Sequence, residues 1–91
     1  MNLGTVYIAE DAEFPTVVRI CAMANPPTNQ HIPSTCRQVY YRIKTDRYRV
    51  YDLQAEICQL LSKYSFESRD SLFQLSPDDV GDMIDNSQII F

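Results

Sequence analysis

Tyr7, Arg19, Tyr40 and Arg42 fall at alternating positions of three segments rich in β-branched and aromatic residues. Side chains alternate across a strand, so a small antiparallel sheet could gather these phenols and guanidinium groups on one face. An ordinary polar, solvent-facing side of a sheet would carry the same pattern. A second group lies just beyond. Arg37, Arg42, Lys44, Arg47 and Arg49 fall within 13 residues and are interleaved with Tyr40, Tyr41 and Tyr48. Cations beside aromatics can contact phosphates and stack bases, or can simply solvate a strand-to-helix edge. A third group, Asp78, Asp79, Asp82 and Asp85, sits at a helix start. Carboxylates there complement the helix dipole. They could also mimic the phosphate spacing of nucleic acid and so occupy a basic groove of a protein partner.

Other chemistry has little to work with. The single histidine, His31, lies in a proline-rich stretch, and the only glycines are Gly4 and Gly81. That leaves no Gly-rich phosphate loop and no Ser/His/Asp or Cys/His constellation. Cys21, Cys36 and Cys58 are odd in number and lack C-x-x-C spacing, so they read as reduced thiols rather than a disulfide framework or zinc site. No metal and no cofactor is expected.

Ninety-one residues, 45% apolar and 22% charged, describe one globular domain over 1–91 with a single modest core. The net charge of −4 and pI of about 4.7 weigh against a general nucleic-acid binder. The charge is bipolar, however. Residues 36–63 carry six basic and three acidic groups, net +3, whereas 64–91 carry one basic and six acidic, net −5. Any nucleic-acid contact is therefore confined to residues 37–49. The opening residues lack a signal-peptide pattern, and the longest uncharged stretch, 20–36, is broken by Pro26, Pro27 and Pro33. The expectation is a cytoplasmic protein with no membrane span.

The elements that must hold these groups can be read from periodicity. Thr5–Ala9 and Thr16–Cys21 read as a hairpin, with Val6, Ile8, Val18 and Ile20 on the core side. Residues 22–36 form an irregular Pro-rich loop. Gln38–Lys44 is a third strand, with Val39, Tyr41 and Ile43 on one face and Tyr40, Arg42 and Lys44 on the other. Asp46 is placed as the N-cap of a helix over about 47–63, whose stripe is Val50, Leu53, Ile57, Leu60, Leu61 and Tyr64. Ser71–Leu75 is a short strand. Ser76-Pro77-Asp78-Asp79 opens a second helix over about 77–85, and Ile89-Ile90-Phe91 is expected to dock on the core. The fold class is α+β: a small, mostly antiparallel sheet of three or four strands packed with two helices.

Gly4-Thr5-Val6-Tyr7-Ile8 followed by Val18-Arg19-Ile20-Cys21 resembles the paired motifs of the GIY-YIG nuclease superfamily, most closely its phage and bacterial branch. Tyr51-Asp52-Leu53-Gln54 with Ile57-Cys58 resembles the family's long helix, and Leu72 to Asp79 resembles its closing strand and helix. The resemblance covers most of the chain except 22–36 and implies a GIY-YIG-like fold. It makes Tyr7, Arg19 and Gln54 vestigial active-site positions. Tyr7 keeps the family tyrosine, Arg19 replaces the second tyrosine, and Gln54 stands where the metal-binding glutamate belongs. No arginine lies between 20 and 36, where the family carries one on a helix. A neutral carboxamide is a poor Mg²⁺ ligand, and without the cation and the arginine phosphodiester hydrolysis loses its main charge stabilisation. The resemblance therefore implies a nuclease-like scaffold that no longer cuts. The expected function is protein binding, as a phage or mobile-element inhibitor of a host nucleic-acid-processing or defence complex. The alternative is nucleic-acid binding through 37–49, and an active metal-dependent nuclease comes last.

Overall fold

In a computed structural model of the chain, which describes residues 3–69 and 71–89, the first strand β1 (Leu3–Asp11) runs through the middle of the molecule. It is flanked by β2 (Val18–Ala24) and β3 (Cys36–Asp46), and a short β4 (Leu72–Phe73) adds to the far edge of β2. The sheet order is β3-β1-β2-β4, with every pairing antiparallel. The helices are α1 (Val50–Leu60), continued by a short 3₁₀ turn at Ser62–Tyr64, and α2 (Pro77–Asp85). This is the expected α+β class. The Cα radius of gyration of 12.1 Å is what about 90 residues packed round one core give.

One face of the sheet is aliphatic. Val6 and Ile8 of β1 and Val18 and Ile20 of β2 meet Val50, Leu53 and Ile57 of α1 and its C-cap Leu61, together with Phe73, Val80 and Ile84. The 3-4-4 spacing of the α1 residues makes this stripe, and fully burying each of its side chains contributes about 1.5–3 kcal/mol. Tyr64, expected to end the stripe, is exposed, because the chain has tightened into the 3₁₀ turn there. At the mouth of this face Gly4 is required by close approach: a Cβ there would lie 2.6 Å from the Val50 Cβ.

Local chemistry sets the ends of the elements. Ser76 Oγ accepts the Asp79 N–H at 3.1 Å, and Pro77 occupies the first turn of α2, as expected. Asp46 does not cap α1. Its carboxylate accepts the Tyr48 N–H at 2.8 Å and its carbonyl the Arg49 N–H at 2.9 Å. Asp46 thus builds a local turn, and the helix begins only at Val50. The hairpin between β1 and β2 is held by Asp11, whose Oδ2 accepts the Glu13 and Phe14 N–H groups at 2.9 Å. The irregular loop is shorter than expected, since β2 continues to Ala24 and β3 starts at Cys36. Asn25, in left-handed backbone (φ 52°), turns the chain out of β2. Ile89 packs against the core, and the rest of the expected tail contact, Ile90 and Phe91, lies outside the described residues.

Pairing of β3 with β1 contains a bulge. Ile8 faces Tyr41, but Ala9 faces Val39, so Tyr40 is the extra residue. The slip corrects the alternation expected for this strand. Tyr41 and Ile43 remain on the helix side opposite Ile8 and Val6, whereas Val39 follows Ala9 to the other face. Tyr40 turns towards the helix side, where its hydroxyl donates to Glu10 Oε2 at 3.4 Å.

Candidate functional site

The face expected to gather Tyr7, Arg19, Tyr40 and Arg42 forms only in part, and it is closed. Tyr7 pairs with Cys21 on one side and Arg42 on the other, and Ala9 pairs with Arg19, so Tyr7, Arg19, Cys21 and Arg42 share it. Tyr40 does not join them, because of the bulge. Nor is the face an open polar side. Thr5, Tyr7, Ala9 and Asp11 are all buried, and Tyr7 is 1% exposed. Residues 25–35 fold back over it. The His31 ring meets Tyr7 edge-on at 6.2 Å, and the His31 carbonyl accepts Arg42 Nη2 at 3.4 Å. Burial pushes the Tyr7 phenol above its ordinary range, partly offset by the Arg42 charge and a hydrogen bond with Thr5.

Arg19 is held away from any ligand. Its Nε donates to Asp11 Oδ1 at 2.7 Å, with the Asp11 side chain 2% exposed. Burial alone would raise the Asp11 carboxyl, but the Arg19 hydrogen bond and the Phe14 and Glu13 N–H groups outweigh it and hold the group below its usual range. Gln54 lies across the sheet from Tyr7, on α1, where its Nε2 donates to the Ile20 carbonyl at 3.0 Å. The three positions assigned by resemblance are therefore split between two faces. Gln54 serves as a donor that ties α1 to β2, which an ionised glutamate could not do.

The basic stretch is dispersed. Arg37 pairs with Glu10 at 3.6 Å and Arg49 with Glu56 at 2.6 Å. Arg42 reaches under the loop, while Lys44 is exposed beside Thr5 and Asn29. Arg47 lies over the exposed Tyr48 ring, 4.6 Å from its centroid.

The acidic residues converge instead. Asp78, Asp82 and Asp85 stand at i, i+4 and i+7 on α2 and line one side of a groove of about 560 Å³ between α2 and β3. Ile8, Tyr41, Ile43 and Ile84 supply its apolar walls, and Arg42 also borders it, so the three carboxylates face one cation. Tyr41 is 39% exposed, and its hydroxyl donates weakly to Asp78 Oδ1 at 3.5 Å. Among the described residues none of the three carboxylates is ion-paired. Gly81 lies at the same groove. A Cβ there would sit 3.6 Å from Tyr41 Oη, an ordinary contact, so packing does not demand glycine and its absence of side chain leaves the groove open. Asp79 points elsewhere, lining a separate cleft with Tyr40, Pro15 and Leu75.

The sequence places Tyr41 and Ile43 together on one face of the third strand, but nothing in it joins them, Ile84 or Gly81 to the aspartates as one groove. The helical spacing of Asp78, Asp82 and Asp85, with a glycine on the same side, was the available signal. Among the described residues no three His, Cys, Asp or Glu side chains are grouped so as to hold a metal ion, and no helix is long and apolar enough to cross a membrane. Comparison with family models, curated proteins and solved structures found no match to this chain.

Proposed function

We propose that this chain is a non-catalytic binding domain whose docking surface is the groove between β3 and α2, and whose partner presents a basic segment with an apolar anchor. The observation that carries the reading is the alignment of Asp78, Asp82 and Asp85 along an open apolar groove. Exposed carboxylates steer a cationic partner and fix its register, while an apolar side chain entering the groove supplies affinity. Basic segments of this kind abound in nucleic-acid-handling proteins. A host nucleic-acid-processing complex, with the chain acting as its inhibitor, is therefore the partner class we favour, in keeping with the phage-like resemblance. The non-catalytic part of the reading is supported by Tyr7, enclosed under residues 25–35, and by Gln54, committed to the Ile20 carbonyl on the other face.

The test uses a labelled ten-residue peptide with a central leucine flanked by two arginines on each side, followed by fluorescence anisotropy. Asp78→Asn, Asp82→Asn and Asp85→Asn combined should weaken binding about tenfold or more, since three exposed pairs supply roughly 0.5 kcal/mol each. The melting temperature should move by less than about 5 °C. Binding that ignores the triple change, or that is equally strong to the same peptide with glycine for leucine, contradicts the reading.

One observation favours nucleic acid as a second reading: Arg47 stacked on the exposed ring of Tyr48, with exposed Tyr51 nearby in sequence. Gel shifts with single-stranded DNA at two salt concentrations decide it, since a phosphate contact must weaken steeply with salt.

A further inference from the structure

Two cysteines meet where the covering loop joins the sheet. Cys21 lies on β2 before the loop and Cys36 is the first residue of β3 after it, yet their Sγ atoms are 3.8 Å apart. Thr35 Oγ1 stands 3.9 Å from both sulfurs. On β1, the strand between them, Cys21 pairs with Tyr7 and Cys36 with Asp11, and Ala9 lies between those two partners. Cys36 is buried and Cys21 only half-buried, so a small reagent reaches Cys21 first. Hydrogen bonds from Cys36 and Thr35 and the charge of Arg19 outweigh burial and bring the Cys21 thiol down to about 7, whereas its partner and burial push Cys36 up. One sulfur is thus partly thiolate at neutral pH and the other is a thiol, the division of labour that peroxide chemistry uses.

We propose that Cys21 and Cys36 form a reversible oxidation site for a hydroperoxide, with Cys21 as the attacking and Cys36 as the resolving thiol. The Cys21 thiolate attacks one peroxide oxygen, the O–O bond breaks, and the product is a Cys21 sulfenic acid with hydroxide, which takes up a proton to become water. The Cys36 sulfur then attacks the Cys21 sulfur, expelling a second water as the S–S bond forms and the Cys36 proton is lost. Two thiols and one hydrogen peroxide give one disulfide and two waters. The peroxide accepts the two electrons. The sulfurs must close from 3.8 Å to about 2.05 Å, a movement that falls where the loop joins β3 at Cys36. The disulfide fastens residues 25–35 over Tyr7, and a cellular thiol reverses it by exchange.

The experiment treats the reduced full chain with equimolar hydrogen peroxide, alkylates what remains and digests with trypsin. No Lys or Arg lies between residues 20 and 36, so both cysteines fall in the single peptide 20–37, while Cys58 falls in the peptide 50–63. The expected result is that peptide 20–37 loses two hydrogens in mass and escapes alkylation while Cys58 is alkylated fully. Cys36→Ser should trap a dimedone-reactive sulfenic acid at Cys21, and Cys21→Ser should leave Cys36 unreactive. Both variants are checked for native circular dichroism first. Equal alkylation of all three cysteines after peroxide, or a bridge found only between two molecules, overturns the proposal.

Discussion

The two faces of one sheet are built on opposite principles. Towards the helices, Val6, Ile8, Val18 and Ile20 are covered by the aliphatic stripe of α1 and by α2. On the other side, Tyr7, Arg19, Cys21 and Arg42 are covered by an irregular proline-containing loop through an aromatic edge, backbone carbonyls and an ion pair. The first cover is regular and apolar. The second must pair each polar group it encloses, and among the described residues His31 Nε2 and Arg42 Nε are buried without a partner. Stability therefore belongs to the helix face and the two neighbouring thiols to the loop face, while the proposed docking groove lies at the edge of the helix face.

The largest expected effect sharpens the helix side. Leu53→Ala should cost about 3–4 kcal/mol in urea unfolding, because Leu53 is fully buried in the aliphatic cluster. A cost under 1 kcal/mol would break the contrast. On the loop side, Asp11→Ala should cost about 2–3 kcal/mol, since it leaves Arg19 and two backbone N–H groups without their acceptor. Its pH dependence has a fixed sign. The folded carboxyl titrates below the unfolded value of 3.8, so its contribution is fully present above that pH and is lost as the pH falls through the folded value. The gap between wild type and Asp11→Asn should be flat above about pH 5 and shrink below pH 4.

Gln54→Glu should cost about 1–2 kcal/mol at pH 7, because a carboxylate cannot donate to the Ile20 carbonyl, and should regain much of that near pH 4 when it protonates. With Tyr7 on the other face, this change should not create Mg²⁺-dependent cleavage of duplex DNA. Cleavage would contradict the separation of the two faces. The smallest effect has the opposite sign: Gly81→Ala should stabilise by about 0.5–1 kcal/mol in a thermal melt, since the added Cβ meets Tyr41 at an ordinary distance and alanine favours helix.

The helix-covered face was legible in the residues because its rules are periodic. Alternation marked Val6, Ile8, Val18 and Ile20, the 3-4-4 spacing marked Val50, Leu53, Ile57 and Leu61, and Ser76-Pro77 marked the start of α2. The loop-covered face was half legible: alternation put Tyr7 with Arg19, but nothing periodic in residues 25–35 says that the loop returns over them. The bulge at Tyr40 was hidden for a related reason. A one-residue slip is decided by pairing with a distant strand, and it moved Val39 and Tyr40 against simple alternation. Asp46 misled because the Asx residue that builds a turn also looks like a helix cap. The groove depended on α2 lying beside β3, a tertiary fact, although three aspartates on one helical face pointed towards it.

Amide chemical-shift mapping during titration with the arginine-flanked leucine peptide tests the central claim most directly. Shifts are expected to concentrate at 41–43 and 78–85 and to saturate together, with Tyr7, Arg19 and the covering loop unmoved. Shifts centred on residues 25–35 or 47–51, or none at peptide concentrations that saturate an anisotropy signal, would contradict it.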